Sequence, residues 1–386
     1  MKVGLTLGLV IGVIVAIWFG LAVRRDDPQG LGTSDAFDRS VGATCAFTEP
    51  PALRNDLVPL TTFIVAAVEQ PVALAAAGET GYVGTLTGVV MGIESDGSLY
   101  DVVDLRETTS VGSDRGLLDL AVGPDGSTLF VLRTNTEGNT ELTAHELDDP
   151  TVPIVLLTIA QPDQRHNGGG LAFAPNGDLL IGVGDGGGQG DPSGEAANPA
   201  TQLGTILRGR VDLEAGALVP VREPISGFDD LVWAFGLRNP FRIWFGADGA
   251  LWVGDVGELC NEEVTRIDGS AHGQDLGWNA FEGSRAFGRL ENRTPIAPTV
   301  EWTHVDGSCA VIGGTEYQGD IIELAGTQIV ADLCTGDLYS IDGDELSQVP
   351  VQLDSPVDVS IGPDGELWVI DMQRGVLRIT ADATSR

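Results

Sequence analysis

The chain has 386 residues, with 56 acidic against 21 basic side chains and a net charge of -35. That length allows two or three average domains, or one large β architecture with a sizeable core. The only lysine is Lys2 and no basic cluster exists to neutralise phosphates, so nucleic acid is excluded as a partner and the acidity reads as a solvated surface.

Val3 to Val23 carries no charge and is almost wholly apolar. At ~1.5 Å per helical residue it crosses a hydrocarbon core of ~30 Å. It is longer than the apolar part of a usual signal peptide, and no small-x-small cleavage site stands clearly at its end. Residues 1–25 are therefore expected to form a membrane anchor, with a cleaved signal and secretion as the alternative. Arg24 and Arg25 follow the span and Lys2 alone precedes it, which by the charge rule favours a cytoplasmic body. Four cysteines with no C-x-x-C pair point instead to an oxidising compartment. The cysteines carry more weight, and the body is expected on the extracytoplasmic face, at the cell surface or in the periplasm. Residues 26–60, rich in Asp, Gly, Pro and Thr, read as a tether.

From 61 to 382 there is no long helical periodicity. Short runs of Val, Ile, Leu, Trp and Phe are broken by Gly, Asp, Asn and Pro, the pattern of an all-β protein. One unit recurs: "GPDGSTLFV" at 123, "APNGDLLIG" at 174, "GADGALWVG" at 246 and "GPDGELWVI" at 362. Each is an Asx-Gly turn followed by an apolar strand and preceded by another apolar run, which makes a hairpin. The Asx-Gly pair is expected to supply the positive backbone angles of a tight turn. The first two turns are 51 residues apart (123 to 174) and the last two 116 apart (246 to 362). Periods of ~40–50 residues with four strands each are propeller blades. Further units fit at "VALAAAGETGYVGTLTGVVMGI" and "GGTEYQGDIIELAGTQIVADLCTGDLYSI", giving a six-bladed β-propeller, with a pair of β-sandwiches as the alternative.

Inside the second repeat lies "RHNGGGLAFAPNGDLLIGVGDGGGQGDP". His166 opens it, and imidazole titrates near neutral pH. The loop "GDGGGQGDP" has no lysine and fails as a phosphate loop. Its Asp185 and Asp191 are possible calcium ligands, though an ordinary glycine-rich loop is the simpler reading. His145, His272 and His304 have no comparable context and read as structural or surface residues.

These blocks, with "LGTILRGRVD", "VWAFGLRNPFRIWF", "GALWVGDVGELCNEEVTRI", "DLGWNAFEG" and "ADLCTGDLYSID" in this order, resemble the soluble glucose/sorbosone dehydrogenase family. That family includes pyrroloquinoline quinone (PQQ)-dependent aldose sugar dehydrogenases and shares its fold with Hedgehog-interacting-protein-like chains. The resemblance covers roughly residues 60 to 380. It implies a six-bladed propeller with a site at the centre of one face, a small sugar as substrate and an external electron acceptor. It implies His166 as the general base, taking the anomeric hydroxyl proton while hydride passes to PQQ. The glycines after His166 are expected to let the cofactor and sugar approach the backbone. The resemblance places Arg238 and Asn239 at the cofactor, where a guanidinium suits the quinone's carboxylates. Asp114, in "DRGLLDLA", falls where the family carries a glutamine or acid near the cofactor. Calcium is implied at the backbone oxygens of Gly257 and Glu258, and Glu263 matches an acid of a second, structural calcium site. Glu262 is read as a solvated loop acid.

The chain also departs from the pattern. "ADLCTGDL" has no cation, and Asp354 and Ser355 stand where the family often carries arginine. The positive pocket for a triply acidic cofactor is thinned. A non-catalytic sugar- or protein-binding propeller is therefore the alternative function, and a lactonase on a calcium-centred propeller a third. Cys309 and Cys334 fall in one blade by the repeat count and are expected to pair, which leaves Cys45 for Cys260. His166, Arg238 and Asn239 are expected to converge on one central cleft.

Overall fold

The structure is a computed structural model that describes residue 45, residues 50–286 and residues 293–382. The expected anchor over residues 1–25 and most of the tether lie outside the described residues. Among the described residues no helix is long and apolar enough to cross a membrane.

Six sheets form the six blades of a propeller. The first runs Pro71–Ala77, Thr80–Thr85, Val89–Ile93, Leu99–Asp104. The second runs Leu117–Val122, Thr128–Thr134, Thr140–Glu146, Ile154–Ile159. The third begins Leu171–Phe173, Leu179–Val183, Thr205–Asp212, and both Ala217–Pro220 and Val232–Phe235 pair with its third strand. The fourth is Pro240–Phe245, Leu251–Asp255, Asn261–Ile267, Val300–Thr303, and the fifth Val311–Glu316, Gln328–Asp332, Asp337–Asp342, Glu345–Gln352. The sixth takes Pro356–Ile361, Leu367–Asp371 and Gly375–Ala381 from the C-terminal end of the chain. Its outermost strand is Leu60–Ala66, antiparallel to Gly375–Ala381. The two ends of the propeller sequence thus close the ring by main-chain hydrogen bonds. Ala52–Leu53 adds a short parallel pairing to Glu345–Gln352.

The repeated turns differ in one detail from the expectation. In the third blade Gly177 N–H donates to Ala174 O at 2.9 Å and Ala174 N–H closes the hairpin on Asp178 O at 2.8 Å. Gly177 has φ 86, whereas Asn176 is not among the residues with positive φ. One left-handed residue suffices because these are three-residue loops rather than two-residue turns. The core lies between blades: Phe130, Leu132 and Leu142 of the second pack with Leu179, Ile181 and Leu207 of the third.

Arg242 crosses the axis, 3% exposed. It donates to Val72 O, Leu118 O and Val357 O of three other blades at 2.6, 3.1 and 3.2 Å. Asp358 lies 3.5 Å and Asp119 4.0 Å from its Nε. A buried cation is tolerated there because carbonyls and carboxylates surround it. The Asx-Gly turns join first to second strands and lie on one face. The segments entering each first strand and leaving each second strand lie on the other. His166 and the loop after Val183 therefore share that second face.

Both expected disulfides form. Cys45–Cys260 has an S–S distance of 2.06 Å, and Cys309–Cys334 a Cα–Cα distance of 5.5 Å. Two such bridges point to an extracytoplasmic location.

Candidate functional site

His166 lies between Ile154–Ile159 and Leu171–Phe173 with φ 55, in the left-handed region that residues with a Cβ seldom enter. Its N–H donates to Asp114 Oδ2 at 2.7 Å, and Asp114 N–H donates to Gln164 O at 3.1 Å. Two residues on, Gly168 N–H donates to Asn239 Oδ1 at 2.9 Å. A Cβ on Gly184 would stand 2.0 Å from His166 O, and one on Gly168 2.5 Å from Gly182 O. The Gly168 and Gly184 positions are thus needed for the hairpin's own backbone to close up.

The His166 ring is held at Nδ1, 2.8 Å from Asp185 Oδ1. A carboxylate only accepts, so the neutral ring carries its proton on Nδ1 and its lone pair on Nε2. Burial lowers the His166 pKa below its usual value, and the Arg238 charge lowers it further; Asp185 and Asp114 oppose both. The imidazole is therefore neutral at neutral pH and able to accept a proton. Asp185 is itself saturated: Gly187 N–H donates to Oδ1 and the Trp278 indole N–H to Oδ2, each at 2.8 Å.

Arg238 and Asn239 enter from the fourth blade. Their N–H groups donate to Asp255 Oδ2 and Oδ1 at 2.9 and 2.6 Å, which fixes the "RN" pair at the head of Pro240–Phe245. Arg238 O accepts Asp185 N–H at 2.8 Å, so this backbone touches the loop of the His166 partner. The Arg238 guanidinium is half-buried. Its Nη1 donates to Val256 O at 3.0 Å, its Cζ is 5.8 Å from the centroid of the Trp278 ring, and its Nε is buried without a hydrogen-bond partner.

The "DVGELCNEEV" loop turns around one carboxylate. Glu282 Oε1 accepts the N–H groups of Glu258, Leu259 and Cys260 at 2.8, 2.6 and 2.8 Å. Glu282 is 1% exposed and its Oε2 is buried without a partner. The Gly257 N–H faces Glu262 Oε2 at 3.3 Å, and a Cβ on Gly257 would overlap Asn261 O. The Glu258 side chain reaches across to Gly190 N–H at 2.8 Å, joining this loop to the one after Asp185. Burial raises its pKa, with Arg238 opposing. Glu263 pairs in register with Asp255. Burial, then Asp255, Glu282, Glu301 and Glu262, raise its pKa well above normal. Glu262 is not a solvated acid: it is fully buried, 2.6 Å from His304 Nε2, and accepts Val311 N–H at 2.8 Å. It is hidden because it alternates with Glu263 along a strand packed between two blades. Among the described residues no three His, Cys, Asp or Glu side chains are grouped to hold a metal ion.

His166, Asp114, Arg238, Asn239 and Glu258 thus meet on one face, while Gly257 and Glu263 surround Glu282 and Asp255. Asp114 and the Asn239 carbonyl oxygen are engaged in bracing the His166 segment. Asp185 and Asp191 are used differently from calcium ligands. Asp191 accepts Glu195 N–H, Ala196 N–H and Asn279 Nδ2 at 3.0, 3.1 and 2.8 Å. The partnership of Asp185 with His166 was readable in principle. His166 precedes the first strand of a hairpin and Asp185 follows the second, so antiparallel pairing returns one to the other. Trp278, 93 residues from Asp185, left no such signal.

The family model for Glucose / Sorbosone dehydrogenase matches residues 68–378. The HIPL1 protein of Arabidopsis thaliana is 31% identical over 216 residues, which is 48% of this chain and 31% of that protein. The chain therefore spans about a third of the length of that relative. In fold it is similar to the soluble aldose sugar dehydrogenase of Escherichia coli, solved in the apo form. The TM-score is 0.69 at 20% identity, covering 84% of this chain and 100% of that one. It is also similar to the PQQ-bound aldose sugar dehydrogenase of Streptomyces coelicolor, with TM-score 0.66 and 18% identity over 84% and 99% of the two chains.

Proposed function

The chain belongs to the glucose/sorbosone dehydrogenase family, and on that premise we propose that it oxidises an aldose sugar to its lactone with His166 as general base. One observation carries the reading: a buried neutral imidazole fixed through Nδ1 by Asp185, with Nε2 left as acceptor. The anomeric hydroxyl donates its proton to Nε2, and Asp185 stabilises the imidazolium that forms. The carbon-bound hydrogen leaves as hydride, and PQQ, when bound, supplies the acceptor for it. An external acceptor would then take up the two electrons.

Arg238 fits an anionic quinone at one point, because its buried Nε lacks a hydrogen-bond partner and a carboxylate would satisfy it. Asp114, Asp185, Asp191 and Glu258 are its acidic neighbours. That single cation favours a second reading, a propeller that binds sugar without oxidising it. Calcium near Gly257, Glu258 and Glu263 is part of the first reading. It is supported by the partnerless Glu282 Oε2 beside mutually repelling carboxylates, since a hard cation suits such oxygens. The apolar run at 3–23 supports a membrane anchor, which resistance to alkaline extraction of membranes tests, and the two disulfides support a body on the extracytoplasmic side.

Purified protein is to be mixed with PQQ and calcium and assayed for dye reduction with a panel of aldoses. Turnover is expected; no turnover together with calorimetric sugar binding would establish the second reading instead. A strong chelator is expected to lower Tm, because a ligand bound only by the folded form stabilises it by mass action. An unchanged Tm counts against the calcium site.

A further inference from the structure

Trp278 is 2% exposed and sits where three parts of the site meet. Its indole N–H donates to Asp185 Oδ2 at 2.8 Å, while Oδ1 of the same carboxylate holds His166 Nδ1 at 2.8 Å. Its ring lies 5.8 Å from Arg238 Cζ, and Arg238 O accepts Asp185 N–H at 2.8 Å. Trp278, Asp185 and Arg238 form a closed circuit, and His166 is held from Asp185. The next residue, Asn279, donates to Asp191 Oδ2 at 2.8 Å, so the loop between Asp185 and Asp191 hangs from two adjacent side chains.

We propose that Trp278 is a positioning residue that sets both the orientation and the proton affinity of His166 through Asp185. The inference rests on the reading of His166 as the base. An indole N–H only donates, so it claims Oδ2 and leaves Oδ1 for the imidazole. It also shares the negative charge that would otherwise stabilise the imidazolium. Removing that donor leaves Oδ2 buried and unpaired, and concentrates charge on the oxygen facing the ring. The other charges acting on His166 are Arg238, which lowers its pKa, and Asp114, which raises it. Asp185 itself feels Asp191, Glu258 and Asp255. A change at Trp278 that keeps an aromatic ring removes none of these charged groups and leaves a ring beside Arg238.

The test is Trp278→Phe, read by NMR titration of the His166 ring in ligand-free protein, with the resonance assigned by its loss in His166→Asn. The His166 midpoint is expected to rise by ~0.5 pH unit or more, and the rising limb of kcat/KM to move up with it. An unchanged or lower midpoint in folded Trp278→Phe overturns the proposal. If that variant does not fold, the wild-type protein still decides the matter. One tryptophan indole N–H resonance must titrate with the same midpoint as His166, and its absence overturns the proposal. Because these titrations need no cofactor or sugar, they stand apart from the dye assay. Coupling without turnover sinks the dehydrogenase reading alone, and turnover without coupling sinks only the role of Trp278.

Discussion

The third and sixth blades put the same residue to different uses. Asp371 ends the strand Leu367–Asp371 and is fully buried. Its Oδ2 accepts Asp354 and Ser355 N–H at 2.8 and 3.1 Å, and its Oδ1 accepts Gln373 and Arg374 N–H at 2.9 and 3.1 Å. Four backbone donors saturate it and latch the segment entering the blade to the one leaving it. Asp255 of the fourth blade and Asp332 of the fifth latch the entering segment likewise, through Arg238 and Asn239 and through Cys309. Asp185 stands two residues beyond its strand, Leu179–Val183, and keeps one backbone donor, Gly187. Its other partners are a histidine ring and an indole. A latch that exchanges backbone amides for side chains gives up local rigidity and gains chemistry, and the strained φ of His166 lies at that exchange.

The largest expected effect sharpens this contrast. His166→Ala should lower turnover by ~10²–10⁴ in protein that still folds, because a base positioned in the transition state is worth that much, whereas losing the buried ring and its bond to Asp185 costs about 1–3 kcal/mol of stability. Asp185→Asn should also cost on the order of 10²-fold, with the amide offering a donor to either the ring or the indole. Steady-state dye reduction with thermal melts of each variant checks both. Turnover retained in Asp185→Asn would erase the distinction between the two blades.

Asp371→Asn is the counterpart. The amide faces two backbone N–H groups with a donor, whichever way it is turned. Two buried amides lose their acceptor, at about 1–3 kcal/mol each. A stability loss of roughly 2–4 kcal/mol in chemical denaturation is expected, with turnover per folded molecule unchanged. Asp185→Asn, turned with its amide toward the indole, orphans that one N–H and should lose less. The reverse ranking would mean that Asp185, not Asp371, is the structural latch.

How much of this contrast was legible beforehand depends on what repeats. The blades announced themselves because the Asx-Gly turns recur beside apolar runs, and a turn is a local event. The closing strand Leu60–Ala66 did not, since an outermost strand has no turn of its own and its partner Gly375–Ala381 is at the other end of the propeller sequence. At the site, His166 stood out by its rarity and its block. Burial was the hidden variable elsewhere: Glu262 reads as a loop acid and nothing in the sequence marks Glu282, yet both are buried and organise backbone. No pattern in a strongly acidic chain separates a solvated carboxylate from one enclosed between blades.

That enclosed set gives the smallest expected effect, a slope of stability with pH. Burial, as the leading cause, raises Asp191 beside the site to about 6, Asp332 in the fifth blade to about 6 and Asp119 at the axis to about 7. In the unfolded chain each returns to ~3.9. The folded protein therefore binds more protons between the two values, and stability falls as pH rises through that window. Exposed Asp104 behaves oppositely, held down to about 2 chiefly by its hydrogen bond to Arg106, so its small contribution is lost only in strong acid. The Tm should be higher at pH 5 than at pH 8. Asp119→Asn should flatten the slope near pH 7 and Asp191→Asn the slope near pH 6, which assigns each part to the axis or the site. A Tm that is flat or rises from pH 5 to pH 8 would show that these carboxylates stay ionised in the folded protein, with Arg242 offsetting the burial of Asp119.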